Sequence, residues 1–188
     1  MKNQSPAGEA SGGNVFDTAY RTMIQKLTVL IIPVINELFG THYDSNAVCS
    51  QLRNEHIEIR GTVITDSIFR IDDKTYHIEC QSTPDGMMIV RMFEYDIAIA
   101  LEDTRRDGFP YRLKFPKSAI LAIRNEGFSA DSKSMEVEFA DGQTVTYRVP
   151  TLRIQDYSLH EVFAKDLLLF LPFYLLRYEK EFPIMEQD

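Results

Sequence analysis

The chain has 188 residues, 44% of them hydrophobic and 26% charged, an ordinary balance for one globular domain with a single sizeable core. Its net charge of −8 counts against a partner held mainly through its phosphates, which draws on Lys and Arg. Two cysteines, Cys49 and Cys80, exclude a disulfide framework and a cysteine-rich metal site, and they fit a reducing cytoplasm.

Residues 1–14 are rich in Ser, Gly, Ala and Asn without periodicity, which predicts a disordered leader ahead of one domain over 15–188. The polar start has no apolar run of the secretory kind. Asp17 is the expected N-cap of a helix reaching Phe39 and closed by Gly40. Tyr20, Ile24, Leu27, Ile31, Ile35 and Leu38 give it an apolar stripe at helical spacing, and Pro33 should kink or restart it. His56 to Arg60 alternates as a strand, with Gly61-Thr62 as the turn into the next one.

The most informative stretch follows. Ser67 to Ile71 and Thr75 to Cys80 are two alternating runs around the turn signal Asp72-Asp73. With those two residues as the loop, Phe69 faces Tyr76, Ser67 faces Ile78 and Asp66 faces Glu79. Phe69, Ile71, Tyr76, Ile78 and Cys80 then share one face. Asp66, Arg70, Thr75, His77, Glu79 and Gln81 share the other, with Ile68. A slip by one residue would mix the two sets, so the alternation itself selects this register. Opposed carboxylates sit roughly 5 Å apart and repel. Either a hard cation such as Mg²⁺ or a shared proton lies between them, or the face is solvated and the acids bend apart into water. His77, two residues before Glu79, reads most simply as a satisfied strand histidine.

Ser82 to Gly86 is a loop and helix-start signal. Met87 to Leu101 follows as a helix with Met88, Met92, Tyr95 and Ile99 along one side, and Arg91 and Tyr95 share a face. Ser118 to Ile123 reads as a buried strand, parallel to the Glu79 strand because a helix connects the two. Met135 to Val149 is a second hairpin. A three-residue loop, Asp141 to Gln143, would pair Met135 with Val149, Val137 with Tyr147 and Glu136 with Arg148. Ser158 to Glu161 is a capping-box pattern opening the last helix. Its apolar stretch from Leu167 to Leu176, interrupted by Pro172, is either deeply buried or a homodimer contact. That stretch is about half the roughly 20 residues a membrane span needs, so no membrane association is expected. The four histidines lack zinc-protease spacing, and no nucleophile-elbow, Walker or dinucleotide motif is present.

Asp66, twelve intervening residues, then Glu79-Cys80-Gln81 resembles the D…(D/E)xK signature of the PD-(D/E)xK nuclease superfamily, with Gln in the Lys position. The longer text YHIECQSTPDGMMIVRMFEYDIAIALE, then FPKSAILAIR and QDYSLHEVFAKDLLLFLPFYLLRYEK, resembles the branch called PD-(D/E)xK nuclease family transposases, akin to recombination-promoting nucleases. The resemblance runs from about Asp17 to Lys180. It implies an α/β fold with a restriction-endonuclease-like core: a mixed β-sheet flanked by helices, with an added β-hairpin and a C-terminal helix. It also implies Mg²⁺- or Mn²⁺-dependent hydrolysis of DNA in the cytoplasm, linked to recombination or mobile elements. Asp66, Glu79 and the backbone carbonyl of Cys80 would be the metal ligands, and Gln81 would stand where Lys is usual. Glu37 on the first helix would be an auxiliary acid, preferred slightly over Glu58. Arg91 and Tyr95 would reach toward the site from the central helix, Arg91 touching a phosphate or the acids unless it forms a structural ion pair. The rival expectation is a catalytically inactive nuclease-fold protein that binds DNA or a protein partner. Arg105-Arg106, Arg112, Lys114 and Lys117 are its nearest approach to a basic patch.

Overall fold

The computed structural model describes residues 13–52, 55–58, 61–64, 67–102, 110–124, 127–128 and 130–174. Two helices, α1 (Gly13–Lys26) and α2 (Ile31–Phe39), precede the strands β1 (Cys49–Gln51), β2 (Glu55–Glu58), β3 (Gly61–Ile64), β4 (Ser67–Ile71) and β5 (Lys74–Gln81). The helix α3 (Met88–Glu102) leads to β6 (Lys117–Ala122), β7 (Ser132–Glu138) and β8 (Thr144–Arg153), and two short helices follow, α4 (Leu159–Ala164) and α5 (Leu171–Tyr174). One mixed sheet of six strands runs β1-β4-β5-β6-β8-β7, while β2 and β3 pair separately. The fold is α/β, with the sheet flanked by helices.

The β4–β5 hairpin has the expected register, from Ser67 opposite Ile78 to Ile71 opposite Lys74. Asp72 turns it at a φ of 54°, a left-handed conformation that a short polar side chain tolerates. The helical connection through α3 brings β6 alongside β5 in parallel, as expected, and β8 continues that direction beside β6.

Alternation sorts the core into two layers. Tyr76, Ile78 and Cys80 of β5 and Leu121 of β6 bury with Tyr20, Ile24, Ile31 and Ile35 of the first two helices. Leu167, Leu169, Phe170 and Phe173 complete that layer, so burial within the chain accounts for the apolar run over 167–173. On the other face a smaller cluster joins Met88 and Met92 of α3 to Ile120 and Val149.

Four expectations about chain breaks need correction. First, the N-terminal helix begins at Gly13, inside the expected leader and with Asp17 in its interior. It bends by 106° near Thr28, not at Pro33. The Thr28 hydroxyl donates to the Ile24 carbonyl at 2.9 Å and so competes for a helix acceptor. Pro33 sits in the first turn of α2, where an N–H has no partner to lose. Second, Gly61 pairs with Glu58 and Thr62 with Ile57, so both belong to β3 and not to a turn.

Third, β7 and β8 are shifted by two residues from expectation: Met135 faces Tyr147, Val137 faces Val145 and Glu136 faces Thr146. A shift of two leaves every side chain on its own face, so hydrophobic alternation cannot detect it. The turn decides. Gly142 has a φ of 85°, and the Phe139 N–H donates to the Gln143 carbonyl at 2.8 Å, which makes residues 140–142 the loop. Fourth, the capping box at Ser158 and Glu161 forms as expected, but α4 ends at Ala164. The chain reverses at Asp166, with a φ of 54°, well before Pro172. Among the described residues no single helix is long and apolar enough to cross a membrane.

Two glycines test the turns. A Cβ at Gly142 would meet nothing within 4 Å, so Gly142→Ala adds only backbone strain. A Cβ at Gly127 would lie 2.4 Å from Cγ of Pro84 at a φ of 79°. We expect Gly142→Ala to lose about 1–2 kcal/mol from the left-handed conformation alone, and Gly127→Ala to lose more, by urea denaturation.

Candidate functional site

The second face of β5 carries His77, Glu79 and Gln81, and α3 covers it. Their exposures are 0%, 6% and 7%, so this face is not a solvated one. Opposite them α3 presents Asp96, which is also fully buried. The Nδ1 of His77 lies 2.7 Å from Oδ1 of Asp96, and its Nε2 lies 3.0 Å from Oε1 of Glu79. The other Asp96 oxygen accepts from Oγ of Ser118 at 2.6 Å and from the Tyr147 hydroxyl at 2.5 Å. The edge of Tyr95 meets the His77 ring at a centroid distance of 6.0 Å.

Buried charges are costly unless paired and hydrogen-bonded, and this arrangement supplies both. Burial alone would pull the His77 pKa down. Hydrogen bonds to Asp96 and Glu79, and their negative charges, outweigh it and raise the pKa from 6.5 to about 9. His77 is therefore an imidazolium near neutral pH, and both ring nitrogens donate. Burial and the adjacent Asp96 charge push the Tyr147 phenol well above its ordinary range, so it stays protonated and donates.

Of the expected site residues, Glu79 and Gln81 lie side by side on this face. Asp66 falls outside the described residues; the hairpin register is established up to its neighbour Ser67. The Oε1 of Gln81 is buried and has no hydrogen-bond partner among the described residues. Cys80 turns its thiol into the opposite core layer. Neither cysteine is in a disulfide, and burial pushes the Cys49 thiol up to about 11.

Glu37 is not brought to Glu79. It lies across the sheet on α2, where its Oε1 accepts from Tyr157 at 2.8 Å and from Lys165 at 2.6 Å. Beside it runs an open cleft of about 380 Å³, lined by Asn36, Thr41, His42 and Tyr43 among others. Arg91 forms a half-exposed ion pair with Asp85 at 2.8 Å, outside the acid cluster. Helix spacing puts Arg91 and Tyr95 on one face, but the loop acid draws the guanidinium away. Glu58 pairs with Gly61 in the separate two-stranded ribbon.

The residue missed in the sequence is Asp96. Its signal was present: it stands four residues after Met92 and three before Ile99, on the apolar stripe of the helix, where a carboxylate needs buried partners. Ser118 and Tyr147 gave no local signal, because only the parallel pairing of β6 and β8 brings them to Asp96. Among the described residues no group of three or more His, Cys, Asp or Glu side chains is arranged to hold a metal ion. No family model, curated protein or solved structure matches the chain.

Two outcomes follow from this cluster. Asp96→Ala leaves His77, Ser118 and Tyr147 without their acceptor and should cost about 3–5 kcal/mol in chemical denaturation, as for a broken buried ion pair. The folded pKa of His77 lies above its unfolded value. Its contribution is therefore complete below about pH 6.5, fades as the pH rises, and is lost above about pH 9. Denaturation at pH 6 and pH 9.5 should show a fall of about 3 kcal/mol from this group, absent in His77→Gln.

Proposed function

We propose that this chain is a metal-dependent deoxyribonuclease of the PD-(D/E)xK type on a restriction-endonuclease-like core. The observation that carries the reading is the pair Glu79 and Gln81 on one buried strand face, with the amide oxygen of Gln81 lacking a partner among the described residues. An orphaned buried oxygen beside a carboxylate is an oxygen donor set of the kind Mg²⁺ or Mn²⁺ takes, directly or through water. Supporting context comes from the antiparallel hairpin, the helix behind it and the parallel strand after it, the order that the resemblance implies.

In this reading Asp66, Glu79 and the backbone carbonyl of Cys80 hold the metal. When bound, the ion would lower the pKa of a water and offset charge developing on the phosphate. The chain's own part is orientation. His77 fixes one oxygen of Glu79, and Asp96 fixes His77 through its other nitrogen. Gln81 orients water through neutral hydrogen bonds. Unlike the usual lysine it brings no positive charge and cannot serve as a base.

One observation favours the rival reading, a nuclease-fold protein that binds DNA or a protein without cutting. The His77 imidazolium already compensates Glu79, which reduces the need for a metal. Cleavage of supercoiled and single-stranded DNA with Mg²⁺ or Mn²⁺ separates the two. The nuclease reading expects metal-dependent cutting that falls to background in Asp66→Ala and Glu79→Ala. Intact DNA in every condition, with no metal uptake by calorimetry, would overturn the nuclease reading and favour the rival.

A further inference from the structure

The segment entering β6 has an unusual surface. Residues 110–115, Pro-Tyr-Arg-Leu-Lys-Phe, are all exposed and belong to no helix or strand. Tyr111 and Leu113 are 61% and 45% exposed, yet large apolar side chains in a row normally find cover. Arg112 and Lys114 alternate with them and form no ion pair among the described residues, and no acid occurs from 110 to 118. The far end of the tract is anchored. Phe115 packs against Phe93 of α3 and Tyr147 of β8 at centroid distances of 5.8 and 6.5 Å. Tyr147 in turn donates to Asp96, so the tract is seated on the side of the sheet that holds Glu79.

We infer that residues 111–115 are a contact tract for single-stranded DNA. Alternating cations and aromatic or apolar side chains suit a strand whose phosphates meet Arg112 and Lys114 while a base stacks on Tyr111. Duplex DNA fits less well. Its bases are already stacked, and two exposed cations on a chain of net charge −8 give a densely charged duplex little to hold. The inference rests on the proposed function for its choice of nucleic acid, but it requires binding only and not cleavage.

The test is fluorescence anisotropy of a labelled oligothymidine and a labelled duplex, in EDTA so that cutting plays no part, across a salt series. The single strand should bind at least tenfold tighter than the duplex. Arg112→Glu with Lys114→Glu should weaken binding more than tenfold and flatten its salt dependence. Tyr111→Ala should weaken it about tenfold with the salt dependence kept. These positions are exposed, and unchanged circular dichroism and melting would confirm the fold of each variant. No binding by the wild type, equal binding by the charge-reversed protein, or a duplex held as tightly as the strand would overturn the tract. A protein that binds the strand through these residues and never cuts overturns the proposed activity alone. One that cuts and is indifferent to the charge reversal overturns the tract alone.

Discussion

The structure depends on one imidazolium held between two carboxylates in the buried layer between β5 and α3. His77 bridges Glu79 and Asp96, and Asp96 also accepts hydroxyl hydrogen bonds from β6 and β8. Four elements that are far apart in sequence thus share one buried anion. Each partner is costly to strand, because an unpaired buried charge loses its hydration without replacement. The network therefore acts on placement. It favours the rotation of α3 that brings Asp96 to His77, since another would strand a charge, and the hydroxyls of β6 and β8 add further donors to Asp96.

The two faces of the sheet divide the work. One face is packed by aliphatic and aromatic side chains from α1, α2 and the C-terminal segments. Its stabilisation is non-directional and proportional to apolar area. Among the described residues the other has a smaller apolar cluster around Met92 and Val149, beside the polar network. Directional bonds there must first offset the desolvation of the groups they join, so leaving any one of them unmade is costly. What this face provides is a set of polar groups with defined orientations, which is what chemistry or recognition needs.

The legible parts were those governed by local periodicity. The β4–β5 register followed from apolar alternation, which excludes a slip of one residue, together with the Asp72-Asp73 turn, which excludes a slip of two. The β7–β8 register did not, because a slip of two changes no face and only the φ of Gly142 selects the loop. The capping box at Ser158 was readable from four residues. The bend near Thr28 was not, because Pro33 is the louder signal and is harmless in a first turn. At the site, the grouping of His77, Glu79 and Gln81 followed from strand period. That the face is buried followed from nothing on β5. It needed Asp96 to be noticed as a charge on an apolar helix stripe, and Ser118 and Tyr147 became legible only once three strands were in place.

Charge, read as a total, misleads in this chain. Part of the −8 is Asp96 and Glu79, which lie inside the protein and face an imidazolium, so they contribute little to the field that an approaching ligand meets. The cations Arg112 and Lys114 are instead exposed at the surface, in a stretch without acids. An acidic composition is therefore compatible with a local phosphate contact, provided that stacking supplies much of the affinity. That condition fits the exposed Tyr111 beside those cations, and it is why a single strand is a better match to this surface than a duplex.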